Sequence, residues 1–243
     1  MAKPQQIELP GGIVIPILYE DRSVLAIDKP PDWMLAPGSW QRTNRNLQAA
    51  LEAGVQASDF WARSRNLKFL RYIHRLDSET TGVLLLGKSA GVVGALGRLF
   101  ETRRVEKTYL AVVRGVPKLR HWTCHAKLGP DQATKGRMKS DARHGKEAET
   151  EFQVLESKDD LSVIQARPRT GRTHQIRVHL LLSGHPVAGD ALYNSEPAGK
   201  RGPFGLRAKA LAYRDPFNGA AVYVEAPTTE FLRQFGFTNL KRR

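Results

Sequence analysis

Short apolar runs of the kind that suit pleated strands recur along most of the chain, while apolar positions at helical spacing are confined to a few places. The strand-type runs are 23–27, 82–87, 108–113, 148–155, 161–166, 208–213 and 221–225, and 121–125 reads as part of another strand. Helical spacing marks 46–53, 90–102, 174–183 and 229–235. Ser89 stands where an N-cap of the second helix belongs. Thr173 stands likewise before the third, with Gly184 just past its end. The first dozen residues are polar and contain Pro and Gly, so 1–16 reads as a loose lead-in. Strands and helices do not alternate, and no Gly-rich phosphate loop is present, which argues against a doubly wound nucleotide fold. The pattern predicts an α+β fold: a largely antiparallel, mixed β-sheet with flanking helices.

The chain has 243 residues, enough for a sizeable core, with 41% hydrophobic and 26% charged residues. That balance excludes a disordered or collagen-like polymer. Charge changes the picture more: 38 Lys+Arg against 24 Asp+Glu leave a net +14. A surplus of this size points to a polyanionic partner, nucleic acid ahead of anionic lipid. The longest apolar stretches fall far short of the ~20 residues a bilayer helix needs, so no membrane partner is expected. The single Cys124 excludes an intramolecular disulfide framework. With no signal or transit pattern at the start, a cytoplasmic location is expected. His121 and His125 have helical i,i+4 spacing on a strand, and beyond the adjacent Cys124 no further Cys, Asp or Glu close by completes a metal site, so no metal is expected.

The basic residues cluster in two acid-free stretches. One carries Arg63, Arg65, Lys68, Arg71 and Arg75, the other Arg167, Arg169, Arg172 and Arg177. Charge runs usually form solvated faces, but clustered arginines also suit bidentate phosphate recognition. Asp77 is the first acid after the first stretch and begins a Ser/Thr/Gly-rich turn. It reads equally as an Asx-type turn residue or as a carboxylate held ionised by arginines, available as nucleophile or base. In the second segment, Gly171-Arg172-Thr173 leads into a helix whose first N–H groups could meet an anion. The blander alternative leaves His174 and Gln175 to satisfy backbone groups while Ile176 and Leu180 pack the core.

These segments together carry a resemblance. His74-Arg75-Leu76-Asp77 followed by Thr80-Thr81-Gly82 is similar to the catalytic motif of the RluA-type pseudouridine synthases. Asp28-Lys29-Pro30-Pro31 resembles that family's opening turn, and Glu106-Lys107-Thr108-Tyr109-Leu110 its tyrosine-bearing strand. The run 171–180 resembles its third motif, and Gly184-His185-Pro186, Gly189-Asp190 and Tyr193 resemble the stretch after that motif. Several separated motifs in order are more specific than any single one.

The resemblance implies isomerisation of uridine to pseudouridine in RNA, ribosomal or transfer, by a monomer that uses no cofactor and no metal. Asp77 would be the catalytic aspartate, Tyr109 would stack on the target base, and Arg177 would pair with Asp77 and keep it ionised. Arg75 would help fill the space left by the flipped nucleotide, and Ile176 would wall the pocket. His74, Thr81, Arg172 and His174 complete the implied RNA-binding set. Residues 17–243 would form the catalytic domain, with no separate N-terminal RNA-binding domain. The sequence departs from the family pattern at three places: Thr81 replaces the usual Ser, Leu35-Ala36-Pro37-Gly38 lacks a His before Pro-Gly, and Arg207 replaces a His.

Two rival classes stand beside this reading. A non-catalytic RNA-binding or ribosome-assembly protein on the same fold would not need Asp77. A hydrolase using Asp77 would need a second carboxylate or a metal.

Overall fold

A computed structural model describes residues 3–35, 45–194 and 202–238. The chain divides into two compact units, 1–105 with 210–226, and 106–209 with 227–243.

The first unit begins with a hairpin, β1 (Gln6–Leu9) and β2 (Ile13–Glu20), continued antiparallel by β3 (Val24–Lys29) and then by β5 (Thr81–Gly87). The two-residue β4 (Arg71–Tyr72) also pairs with β5. The segment expected as a lead-in is therefore structured: Ile7 and Ile15 are fully buried. Its alternation of apolar and polar residues on either side of Pro10-Gly11-Gly12 is a hairpin signal, and both glycines take the left-handed backbone that such a turn needs. β3 and β5 are buried on both faces, which explains why their near-continuous apolar runs are the clearest strand signals in the sequence. On one face, Val24, Ala26, Val83 and Leu85 pack with Val92 and Leu96 of α3 (Ala90–Glu101). Val222 and Val224 of β12 (Ala221–Glu225) join the same cluster. Ser89 caps α3 as expected, its hydroxyl accepting from the Val92 N–H, and Asn46 does the same for α1 (Leu47–Gln56) at Ala49. A single turn, α2 (Phe60–Arg63), follows.

The second unit is an antiparallel sheet in the order β6 (Glu106–Arg114), β10 (Leu161–Pro168), β9 (Lys146–Lys158), β7 (His121–Pro130), β8 (Met138–Ser140). Alternate residues of β6 and β10 serve its two faces, as the pleat requires. Ala111, Val113, Ile164 and Ala166 pack against Ile176 and Leu180 of α4 (Gln175–Leu182). The intervening Leu110, Val112 and Val163 pack against Phe231, Leu232 and Phe237 in and after α5 (Thr229–Arg233). The nine-residue strand β11 (Leu206–Arg214) carries the chain out of this unit at 209/210 and pairs antiparallel with β12. Among the described residues no helix is long and apolar enough to cross a membrane.

Candidate functional site

Asp77 sits in the first unit, and its position follows from how residues 71–80 are tied to β5. Arg71 and Tyr72 pair with Gly87 and Leu86, and Ile73 continues the ladder by donating to the Leu85 carbonyl at 3.0 Å. His74 then turns its ring inward. Its Nε2 accepts the Leu85 N–H at 3.2 Å, and the ring stacks on Phe100 at 4.8 Å. Acceptance at Nε2 fixes the neutral tautomer with its proton on Nδ1. His74 thus anchors the strand that leads to Asp77. Arg75 beside it is exposed, Leu76 is buried, and Asp77 is half-buried at the start of a turn closed by the Thr80 N–H on the Asp77 carbonyl at 3.2 Å. Thr81 opens β5 immediately after the turn.

Beneath this turn lies Lys29, fully buried. Its ammonium donates to the carbonyls of Pro30 (3.0 Å), Ser78 (2.7 Å) and Thr80 (3.0 Å). Three N–H donors meet three carbonyls, two of them within the Asp77 turn, so one side chain fixes the turn's path. Burial pushes the ammonium down to about 8, opposed by the negative charges of Glu79, Asp77 and Asp32. No periodic pattern singles Lys29 out; its signals in the sequence are its place in Asp28-Lys29-Pro30-Pro31, which resembles the family's opening turn, and its position closing an apolar strand.

Lys29→Met is expected to leave the Ser78 and Thr80 carbonyls without their donor, costing the first unit about 1–3 kcal/mol per buried acceptor. Because the folded value of about 8 lies below the ordinary 10.5, the folded chain releases this proton first, and stability rises with pH between those values. The neutral amine, however, offers two N–H groups to three carbonyls. Turnover of the wild type is therefore expected to fall as pH rises through about 8, and a pH–rate profile of Lys29→Met is expected to lack that limb.

The remaining motif residues sit in the second unit. Tyr109 lies on β6 opposite Ala166 and packs against the cluster that contains Ile176 and Leu180. The helix following Gly171-Arg172 starts one residue later than expected: α4 begins at Gln175, and its N-cap is His174, not Thr173. His174 adopts the left-handed backbone (φ 53°), a conformation His tolerates better than most residues. Its Nδ1 lies 2.9 Å from the Tyr193 hydroxyl, and the two rings meet edge-on. The expected anion cradle is occupied from within. Gln175 accepts the Thr170 hydroxyl and the Arg172 N–H, and donates to the Glu149 carbonyl and the Thr150 hydroxyl. That buried amide has four partners and locks the segment onto β9. The Arg172 side chain donates to the Glu147 carbonyl at 3.0 Å, and Arg169 forms a bidentate pair with Glu151. Acid-free in sequence, this stretch finds its carboxylate across the sheet.

Arg177 is 1% exposed and Asp190 fully buried. Nε and Nη2 of the arginine reach the two carboxylate oxygens at 2.7 Å each. The guanidinium also lies 5.1 Å from the ring centroids of Tyr193 and Phe204. Asp190 Oδ1 accepts the N–H groups of Leu192 and Tyr193. Gly189 before it has φ 70°, and a Cβ there would overlap the Pro203 carbonyl, so only glycine delivers Asp190 to this place. Of the departures from the family pattern, Arg207 is 7% exposed and bonds the Pro227 carbonyl, which turns it inward. Residues 36–38 lie outside the described residues.

The model of a family described as RNA pseudouridylate synthase matches residues 23–182, a span that includes Asp77, Tyr109 and Arg177. The chain belongs to this family of enzymes, which are isomerases acting as RNA pseudouridine synthases. Ribosomal large subunit pseudouridine synthase C of Yersinia pestis is 34% identical to it over 230 residues, covering 89% of this chain and 67% of that relative. Human RNA pseudouridylate synthase domain containing 1 superposes with a TM-score of 0.69 at 30% identity, over 88% of this chain and 83% of its own. Human RNA pseudouridylate synthase domain containing 4 shares the fold with a TM-score of 0.73 at 23% identity, over 92% and 94%.

Proposed function

We propose that this enzyme isomerises uridine to pseudouridine in a structured RNA, with Asp77 as its catalytic carboxylate, Tyr109 stacking on the target base and Arg177 keeping Asp77 ionised. The observation that carries this reading is the family match running unbroken across the segments that contain all three residues. The rigid setting of Asp77, between a ladder-bound His74 and a turn held by Lys29, supports it further. The reaction breaks the N1 glycosidic bond, turns the detached uracil and rejoins it to the ribose through C5. One carboxylate suffices, either by attacking the sugar or by removing a proton from its 2′ carbon, whereas glycoside hydrolysis usually employs two. The base must leave its stack to be reached, so an aromatic surface and an exposed arginine, the role given to Arg75, suit the chemistry. Ile176 supplies apolar wall, and His74, Thr81, Arg172 and His174 act by shaping the two segments that meet the RNA.

The substrate is a ribosomal or transfer RNA. The relatives named for the large ribosomal subunit favour the former. Action on such an RNA fits a cytoplasmic location, and we propose that the enzyme acts as a monomer. Incubating the enzyme with transcribed, unmodified ribosomal RNA and analysing the digested nucleosides tests the reading. Pseudouridine equal to the uridine lost is the expected result. Free uracil in place of pseudouridine would convert the assignment to a hydrolase, and an unchanged digest with RNA still bound would leave a non-catalytic binding protein.

A further inference from the structure

The first unit has a second polar feature. A cleft of about 800 Å³ lies along β2, the residues after α2 and the end of β5. Five cations line it, Lys3, Arg22, Arg65, Lys68 and Lys88, against the two carboxylates of Glu20 and Asp21. Those carboxylates are already committed. Glu20 takes Arg65 Nε at 2.8 Å, Lys88 at 2.8 Å and Lys3 at 3.3 Å. Burial opposes ionisation of this carboxyl, but Lys88 and Arg65 outweigh it and hold the group below its ordinary value. Asp21 accepts the Ser23 and Val24 N–H groups and the Tyr19 hydroxyl. Arg65 is itself consumed: its side chain is 1% exposed and also bonds the carbonyls of Trp61 and Pro4. Arg22 and Lys68 are exposed at the same cleft, and among the described residues neither has a carboxylate within 4 Å.

The framework is thus a Glu20-centred ion cluster, and the surplus positive charge falls on two solvent-facing side chains beside a concave surface. Half-buried Ile17 and Leu18 supply apolar wall. A concave, cation-rimmed surface with some apolar wall matches an RNA strand, whose phosphates meet cations while sugar faces meet the wall. From this geometry we propose that the cleft is an accessory RNA-backbone contact of the enzyme, with Arg22 and Lys68 as its phosphate-binding side chains. This rests on the reading that the enzyme acts on RNA and adds a contact surface apart from the Asp77 turn. A long polyanion fits better than a small anion, because the cleft is open to solvent and its two available cations are exposed.

The test uses the full chain and transcribed, unmodified large-subunit ribosomal RNA, with dissociation constants measured across a salt series. Arg22→Glu/Lys68→Glu is expected to weaken binding about tenfold at low salt and to make the log–log salt dependence shallower by roughly 1.4–1.8, the change for two lost phosphate contacts. Arg22→Gln/Lys68→Gln is expected to give a smaller loss with the same shallower slope. Lys118→Glu/Lys158→Glu, two exposed lysines outside the cleft, is expected to change affinity by no more than about twofold and to leave the salt slope as in the wild type. Equal losses from both glutamate pairs would reduce the effect to net charge and overturn the proposal. So would unchanged binding in the cleft variants, or saturable binding of uridine monophosphate lost in those variants while RNA affinity holds. Pseudouridine yield on the same RNA is scored separately. Its absence with cleft dependence intact strikes the catalytic reading alone, and its presence without cleft dependence strikes this one alone.

Discussion

Asp190→Ala is expected to destabilise the protein by roughly 3–5 kcal/mol, the usual cost of removing one member of a buried ion pair. The guanidinium of Arg177, 1% exposed and set beside Tyr193 and Phe204, would lose both 2.7 Å contacts. The Leu192 and Tyr193 N–H groups would lose their acceptor as well. For a chain of this size the melting temperature is expected to fall by about 6–20 °C, measured by calorimetry. Arg177→Met/Asp190→Leu separates stability from catalysis. Replacing both charges by apolar groups of similar volume is expected to restore most of the melting temperature. Activity is not expected to return, because the role proposed for Arg177 needs its charge. A double variant as unstable as Asp190→Ala would show that the pair is worth more than an apolar contact.

Asp77→Asn is expected to lower pseudouridine formation by about 10⁴-fold or more, equivalent to over about 5 kcal/mol of transition-state stabilisation. The amide keeps the shape of the carboxylate, and the turn is held by backbone groups at Asp77 and Thr80 and by Lys29, whose ammonium the Asp77 charge helps to keep protonated, so the comparison is made well below pH 8. The fold is therefore expected to persist, with melting within a few degrees of the wild type. RNA affinity is expected to hold or rise slightly, because the substitution removes a negative charge facing a polyanion. Loss of turnover with retained binding places the effect on the chemical step. Comparable loss of RNA affinity would assign Asp77 to binding instead.

Much of the architecture is legible in the sequence because its signals are local. Buried apolar runs mark β3 and β5, Ser89 marks the start of α3, and Asn46 marks the start of α1. The β1–β2 hairpin escapes a composition-based reading, in which Pro10-Gly11-Gly12 signifies looseness. The alternation of Ile7, Leu9, Ile13 and Ile15 around that turn is the stronger signal. The N-cap of α4 lies one residue beyond the one propensity favours. Threonine is the better cap, but contacts of His174 with Tyr193 and of Gln175 with four partners set the boundary.

The candidate site divides along the same line. Asp77 stands out through its own neighbours, a basic run before it and a turn after it. Lys29 and Asp190 fall in segments that resemble the family, but their roles are not readable there, because they depend on partners 49 to 51 residues and 13 residues away in the chain. No composition or spacing pattern links a lysine at the end of β3 to the carbonyls of a turn that arrives later. Sequence clustering overstates the arginines as phosphate ligands for the same reason. Arg65 and Arg169 find carboxylates that sequence proximity cannot reveal, on β2 and β9.

The most direct test of Asp77 as the catalytic group of a pseudouridine synthase is tritium release from unmodified ribosomal RNA labelled at uracil C5, comparing the wild type with Asp77→Asn. Forming the C5–ribose bond expels the C5 hydrogen, so the wild type is expected to release one tritium for each pseudouridine made, and the variant none above background. Release by Asp77→Asn at the wild-type rate, or pseudouridine-free RNA from a folded, RNA-binding wild-type preparation, would contradict that assignment.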